Sequence, residues 1–362
     1  MGGPHAVGIV GLGVISGAYL DTLSQANAVR VVAVADLDRS RAEGVAERIP
    51  GCRVLATSEL VADPEVETVL NLTVPAAHAE VALAAITRGK HVFGEKPLAA
   101  HLDDAFAVMD AAAAAGVRVG CAPDTVLGTG VQTARDAIDR GLIGQPVAAA
   151  ATWISAGHES WHPNPDFYYR AGGGPLLDMG PYYVTSLVQL LGPVAAVSGA
   201  TSRSRTERVV GSGPRKGDRF GVEVDTHLTG ILHHASGALS TVTMSFDGVA
   251  STAQPIEVHG VEGSLVVPDP NQFAGEVRLH PENGTWQALE PAAGYVDAAR
   301  GIGLIDFAAG PGRASGAMAL HVLEIMTLLQ RSAQTGLRAQ LTTTVERPSP
   351  VPLTAAGEWQ NA

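Results

Sequence analysis

Lys96 stands between a glutamate and a proline, in Glu95-Lys96-Pro97, at the end of the short apolar run His91-Val92-Phe93. Upstream lies a glycine-rich segment, Val7-Gly8-Ile9-Val10-Gly11-Leu12-Gly13-Val14-Ile15-Ser16. Ligands of open α/β sheets bind at the carboxyl ends of the strands, so this lysine is expected to project toward whatever the glycine loop holds. A Lys-Pro pair alone is a commonplace turn. Its position gives it weight.

The glycine loop has the spacing of a dinucleotide fingerprint, because Gly11-x-Gly13 follows a strand-like run and opens a helical one. Gly11 permits the tight turn, Gly13 lets the backbone approach a pyrophosphate, and the helix N-terminus favours its negative charge. Val14 and Ile15 lead to the third glycine position, where Ser16 is small enough for close helix–strand contact. Asp36 ends the second strand-like run about 20 residues further on, where a carboxylate binds the ribose 2′-hydroxyl. It would repel a 2′-phosphate, so NAD is expected ahead of NADP, with Arg39 near enough to soften that preference. The competing reading of Asp36 is a plain strand-end cap. After the run ending in Asn71-Leu72, Thr73 and Pro75 would form a shelf beside the ribose and nicotinamide. His78 would sit over the shelf, although alone it reads as a structural helix-start histidine.

The elements that must position these groups alternate. Strand-like runs at His5–Val10, Arg30–Ala35, Cys52–Leu55, Thr68–Leu72, His91–Phe93 and Arg118–Cys121 are separated by helical patterns near Ile15–Gln25, Arg39–Arg48, Ala76–Thr87 and Leu102–Ala115. Such alternation implies βαβ units and a doubly wound parallel sheet. After Pro123 a helix is expected over Val126–Asp139, followed by strand-like runs at Val147–Ser155, Ala195–Ser202, Val222–His233, Ala238–Phe246, Ile256–His259, Ser264–Val267 and Val277–Leu279. Turns at 234–237 and 260–263 suit a mostly antiparallel sheet. A late helix over Ser315–Ser332 carries Met318, Val322, Ile325 and Leu329 on one stripe, and an extended proline-rich tail follows. The fold class is therefore α/β, with residues 1–123 a dinucleotide-binding domain and 124–362 an α+β domain. In Ser240–Phe246, Val242, Met244 and Phe246 alternate with polar residues, so one face suits a core and the other solvent or a second copy.

Composition excludes several classes. Lys+Arg 24 against Asp+Glu 36 gives a net charge of −12, and nucleic-acid binding would need a basic stripe. The stretch from Arg203 to Arg219 reads as a solvated loop, and His233 and His234 as exposed residues flanking a turn. Cys52 and Cys121 are too few for a disulfide framework and read as buried thiols in a reducing compartment. No Sec signal pattern is read at Met1-Gly2-Gly3-Pro4, and no apolar run reaches the ~18 residues of a membrane span. A cytoplasmic protein is expected.

Taken together, the chain resembles the Gfo/Idh/MocA oxidoreductases, the glucose–fructose oxidoreductase and inositol dehydrogenase family. The resemblance spans nearly the whole chain. It is carried by Gly11-Leu12-Gly13-Val14-Ile15-Ser16, Thr73-Val74-Pro75-Ala76-Ala77-His78, Glu95-Lys96-Pro97, the segment from Gly172 through Asp178-Met179-Gly180-Pro181-Tyr182, and Glu346-Arg347-Pro348. It implies a Rossmann domain, a second domain with an open sheet, bound NAD or NADP, and redox chemistry on sugar or cyclitol hydroxyls. A homodimer or homotetramer through the C-terminal sheet is expected. Glu95, Lys96 and Pro97 would border the cofactor. Lys96 would contact the reacting oxygen with an aspartate and a histidine of an Asp-x-Gly-x-His motif. Asp178 matches that motif, but Tyr182 occupies the histidine position.

Alcohol oxidation needs a base for the hydroxyl proton. Tyr182 could serve if Lys96, held cationic by Asp178, favours the phenolate; otherwise it only orients substrate. The other candidates, His158 and His162, lie in a loop rich in polar and aromatic groups, His158-Glu159-Ser160-Trp161-His162-Pro163-Asn164-Pro165-Asp166-Phe167-Tyr168-Tyr169. Sugars need such a mixture, so His158, Trp161, His162 and Tyr169 are expected to bind substrate. A Pro-stapled loop packed on its own aromatics is the competing reading. Pro163 and Pro165 disfavour the helix that a His158–His162 metal pair would need, and no metal is expected. Two further functions fit the same residues: transient oxidation driving glycoside cleavage or epimerisation, and a non-catalytic nucleotide sensor.

Overall fold

In the computed structural model, residues 3–310 and 312–361 are described. Six strands, β1 (His5–Val10), β2 (Val29–Ala35), β3 (Arg53–Val54), β4 (Thr68–Asn71), β5 (His91–Gly94) and β6 (Val119–Cys121), form one parallel sheet. Their order is β3-β2-β1-β4-β5-β6. The sheet is doubly wound, as expected, with its order reversing between β1 and β4. Its strands are almost wholly buried, Val7, Ile9, Val34, Val69 and Leu70 among them, as a sheet covered on both faces requires.

The helices of this layer are α1 (Ser16–Leu23), α2 (Arg39–Ala46), α3 (Thr57–Ala62), α4 (His78–Thr87) and α5 (Leu102–Ala115). Asp38 caps α2, its carboxylate accepting from the N–H groups of Ser40 and Arg41. The short α3 is absent from the sequence reading, because six residues are too few to display a 3.6 period.

The chain divides into two compact units. The first comprises 1–129, 293–320 and 348–362; the second comprises 130–292 and 321–347. A single boundary after residue 123 would put everything beyond it in one domain. Two returning segments account for the difference. A helix over Ile302–Ala309 buries Ile302, Leu304, Ile305 and Phe307, with Phe307 edge-on to Phe93 at 5.9 Å. The N–H of Cys121 bonds the carbonyl of Ala314, extending the β6 edge. The tail does not stay extended: it ends in a helix over Ala356–Asn361, where the Trp359 indole donates to the carbonyl of Val296 at 3.0 Å.

The second unit opens with α6 (Thr129–Asp139) and is built on a nine-stranded sheet. Its long strands are β7 (Pro146–Ile154), β8 (Val194–Ser202), β11 (His227–His234), β12 (Leu239–Ser245), β13 (Ile256–Gly260), β14 (Gly263–Val267) and β15 (Val277–Pro281). The pair β9 (Glu207–Val209) and β10 (Arg219–Gly221) stands outside it. Pairing is antiparallel except between β7 and β12. Helix α7 (Pro175–Leu191) packs on β7, β11 and β12. It is buried on nearly every side, so it lacks the polar face that reveals a helix in sequence. Val242, Met244 and Phe246 point into this core as expected.

Three local expectations are corrected. His234 is buried, with ring nitrogens against the Gly192 carbonyl and the Ser240 hydroxyl. Cys52 is only half-buried, unlike Cys121. The stretch from Arg203 to Arg219 is not a free solvated loop, because it carries β9 and buries Arg208.

Candidate active site

In the first unit, β1 delivers Gly11 to the crevice where the strand order reverses. Gly11 has φ +91°, and a Cβ there would strike the backbone of Leu72 and Thr73, so only glycine fits. Gly13, by contrast, has no heavy atom within 4 Å of a Cβ position. The N–H groups of Gly13, Val14 and Ile15 donate to nothing among the described residues. Ser16 is buried beneath them, its hydroxyl donating to the Gly13 carbonyl at 2.7 Å. Free N–H groups at the start of a helix suit a pyrophosphate.

Asp36, at the end of β2, accepts from the Leu12 N–H at 2.7 Å through Oδ2 and from the Asp38 N–H at 2.8 Å through Oδ1. Its carboxylate is thus fixed beside the glycine loop. Arg39 pairs with Glu43 on the surface; the arginine beside Asp36 is Arg41, at 3.5 Å. Val14, Leu37 and Val74 are strongly exposed apolar side chains that follow β1, β2 and β4, where an adenine face would cover them. Leu37, Val74 and Arg41 escaped the sequence reading. The residues present therefore fit a dinucleotide.

The remaining residues of that region divide into lining and support. Pro75 is exposed, and Thr73 is half-buried with its hydroxyl on Asn71 Oδ1. His78 is buried instead of facing a ligand: Nδ1 lies 2.6 Å from the Pro97 carbonyl and Nε2 2.9 Å from that of Thr73. It therefore ties the shelf to the lysine turn. Glu95 is also buried, accepting from the Tyr19 hydroxyl at 2.8 Å and the Lys96 N–H at 3.0 Å. Both shape the turn from behind. Lys96 is half-buried, and the Lys96–Pro97 peptide is cis.

In the second unit, Asp178 lies in the first turn of α7, with Tyr182 one helical turn later. The partner that the tertiary fold supplies to Asp178 is His158, with Nε2 2.8 Å from Asp178 Oδ2. The imidazole is boxed by aromatic rings: Tyr168 at 4.4 Å, Phe246 at 4.8 Å, Trp161 at 5.2 Å and Trp153 at 5.9 Å between centroids. Trp161 and Phe167 stay 58% and 56% exposed. His162 sits at the rim, where Nδ1 accepts from the Asn164 N–H at 3.1 Å.

Tyr169 overturns its expectation as a substrate contact. It is fully buried, its hydroxyl bonded to Glu159, and burial pushes the phenol well above the usual tyrosine range. Tyr168, half-buried, is the tyrosine whose ring lies against His158.

Beneath the loop lies a cluster that sequence reasoning missed. Arg208 donates to Glu159 at 2.6 Å, contacts Asp247, and donates to the carbonyls of Ala156 and Phe246 at 3.0 Å each. Burial opposes ionisation of Asp247, but the Thr226 hydroxyl, Ser204 and Arg208 bring its carboxyl below the usual range. Gly157, at φ +101°, closes over the cluster, because any Cβ would collide with Glu159, Tyr169 and Arg208. The 203–219 segment also holds the loop from outside, through Arg215 on Asp166 at 2.6 Å and the Ser212 hydroxyl on the Trp161 carbonyl at 2.6 Å.

Two family models match successive parts of the chain. Residues 5–122 match an oxidoreductase family with an NAD-binding Rossmann fold, and residues 131–266 match the GFO/IDH/MocA C-terminal domain. A 1,5-anhydro-D-fructose reductase of Ensifer adhaerens is 30% identical over 346 residues, covering 93% of this chain and 98% of the relative. A myo-inositol 2-dehydrogenase of Thermotoga maritima is 26% identical over 273 residues, 75% of each chain. An NAD binding oxidoreductase from Klebsiella pneumoniae shares the fold with a TM-score of 0.82 at 22% identity, over 94% of this chain and all of that one.

Proposed function

The chain belongs to the GFO/IDH/MocA oxidoreductase family, and from that premise we propose that it moves hydride between NAD and a hydroxyl-bearing carbon of a sugar, sugar derivative or cyclitol. The observation that carries the substrate class is the His158–Asp178 pair beside the exposed ring of Trp161, with the exposed Phe167 against Tyr168 and His162. Flat apolar surfaces beside polar groups suit the C–H faces and hydroxyls of a polyol. NAD supplies the hydride acceptor when the alcohol is oxidised.

The chain's own groups do the rest. Asp36 holds the adenosine ribose through its hydroxyls, and the N–H groups of Gly13, Val14 and Ile15 hold the pyrophosphate. Lys96 binds and polarises the reacting oxygen. Asp178 and Tyr182 orient the reacting hydroxyl. Trp161 and His162 hold the rest of the substrate. Glu95 and His78 act as supports of the lysine turn.

Lys96→Ala should abolish NADH formation on myo-inositol, or NADH consumption on 1,5-anhydro-D-fructose, while NAD binding measured by calorimetry persists. Turnover like that of wild type would sink the assignment. We also place the protein in the cytoplasm as a homo-oligomer. Cys52 and Cys121 are free thiols, and Val147, Ile231 and Leu239 are exposed on the large sheet, where a second copy would cover them. A monomer by light scattering would count against the assembly.

A further inference from the structure

The proton acceptor can be chosen by hydrogen-bond chemistry. An ionised carboxylate can only accept, so the proton in the 2.8 Å bond between His158 Nε2 and Asp178 Oδ2 belongs to Nε2. In the neutral imidazole, Nδ1 then carries a lone pair. Nδ1 has no hydrogen-bond partner among the described residues, while 11% of the side chain remains exposed. The competing groups are placed differently. His162 Nδ1 already accepts from the Asn164 N–H, and the Tyr169 hydroxyl is given to Glu159. Tyr182, which is 5% exposed on α7, would have to lose its own proton before it could accept one.

The ring is held for this task. Trp153, Trp161, Tyr168 and Phe246 surround it, and of these only Tyr168 can titrate. Asp178 is the charged group that faces it from α7. The next residue, Glu159, is taken up by Arg208 and Tyr169, so its charge is spent inside the cluster. Gly157 and Arg208 thereby fix the backbone from which His158 projects.

We propose that His158 takes the substrate's hydroxyl proton on Nδ1, a role that the Asp-x-Gly-x-His pattern gives to the position occupied here by Tyr182. The inference rests on the oxidoreductase reading above. In the oxidation direction the O–H bond breaks and its proton passes to Nδ1. The carbinol C–H bond breaks with both electrons passing as hydride to NAD+, which is reduced, and a C=O bond forms. The imidazolium is stabilised by Asp178 and then releases its proton to water. Reduction of a ketose runs the same steps backward, with His158 as acid.

Two measurements on the full-length, NAD-loaded protein decide it. The first needs no turnover. Long-range proton–nitrogen NMR of histidine-labelled protein, with His158→Asn to assign the signal, should show His158 as the Nε2–H tautomer with a bare Nδ1. An Nδ1–H tautomer overturns the inference. The second is the pH profile of kcat/KM with myo-inositol. His158→Asn should lower it about 10²–10⁴-fold, erase the acid limb, and leave NAD affinity intact; added imidazole should restore part of the rate to His158→Gly. If His158→Asn keeps the limb and Tyr182→Phe loses it, the tyrosine is the base and the inference falls. A wild type inert toward both myo-inositol and 1,5-anhydro-D-fructose removes the oxidoreductase reading itself. That outcome is distinct from an active wild type indifferent to His158.

Discussion

Arg208 and Glu159 lie 49 positions apart in sequence and 2.6 Å apart in the fold. Because Asp247 shares the same guanidinium, one buried cation serves two carboxylates. Removing it leaves both uncompensated, and breaking a buried pair in this way costs about 3–5 kcal/mol. Arg208→Ala should therefore lower the unfolding midpoint of the second unit far more than Glu159→Gln, and Arg208→Lys should recover only part of the loss. Calorimetric scans compare the three. Equal, small shifts would mean that the cluster does not hold the loop.

Cofactor choice should follow Asp36. Its carboxylate is fixed by the Leu12 and Asp38 N–H groups, so it cannot swing away from a 2′-phosphate. Asp36→Ser should weaken NAD and relieve repulsion of NADP, changing the NAD/NADP preference by about 10–100-fold, the scale of 1.4–3 kcal/mol. Arg41, 3.5 Å from Asp36, would then be free to meet the phosphate. Adding Arg41→Ala should cancel the NADP gain in a binding titration, and an unchanged preference would assign selectivity elsewhere.

His78 offers a test of positioning. Its ring nitrogens reach the carbonyls of Pro97 and Thr73, so it locks the turn that carries Lys96. His78→Ala should lower kcat, by about tenfold or more since small misplacements of reacting groups are costly, with a smaller effect on the dissociation constant of NAD. A loss confined to NAD binding would instead place His78 in the cofactor site.

Asp124 gives a stability signature in pH. Burial, opposed by the N–H groups of Gly303 and Gly301, raises its carboxyl to about 6, and Oδ1 has no partner. The group is raised in the folded state, so its stabilisation is complete below the unfolded value of about 3.9 and is lost as pH climbs through about 6. The loss is on the order of 3 kcal/mol. Asp124→Asn keeps an acceptor for Gly301 and Gly303 without the charge. It should match wild type near pH 4 and be the more stable protein near pH 7.5 in denaturant titrations. A variant less stable at pH 7.5 would show that the fold favours the carboxylate.

Much of the first unit was legible from residue order alone, because its signals are local. A glycine that must admit a backbone, a carboxylate at a strand end and apolar runs between helical patterns each show within a few residues. The second unit was less legible. Helix α7 is apolar on nearly every side and so has no stripe. Arg208 sits in a polar stretch, where nothing marks one arginine as buried and its neighbours as exposed. Tyr168 and Tyr169 are chemically alike, and only their opposite directions from the backbone separate the residue facing His158 from the one sealed against Glu159.

By itself, the sequence determined the family, the parallel sheet, the dinucleotide loop with Asp36, and the set of groups able to do redox chemistry on a hydroxyl. Each follows from types and spacings that the backbone imposes over short stretches. Only the tertiary structure decided which of those groups meet: His158 with Asp178, Glu95 with Tyr19, His78 with Pro97, and Arg208 with Glu159 and Asp247. Most of these pairs join segments far apart in the chain. Their meeting depends on how strands and loops pack, and on burial that makes an unpaired charge too costly to leave alone.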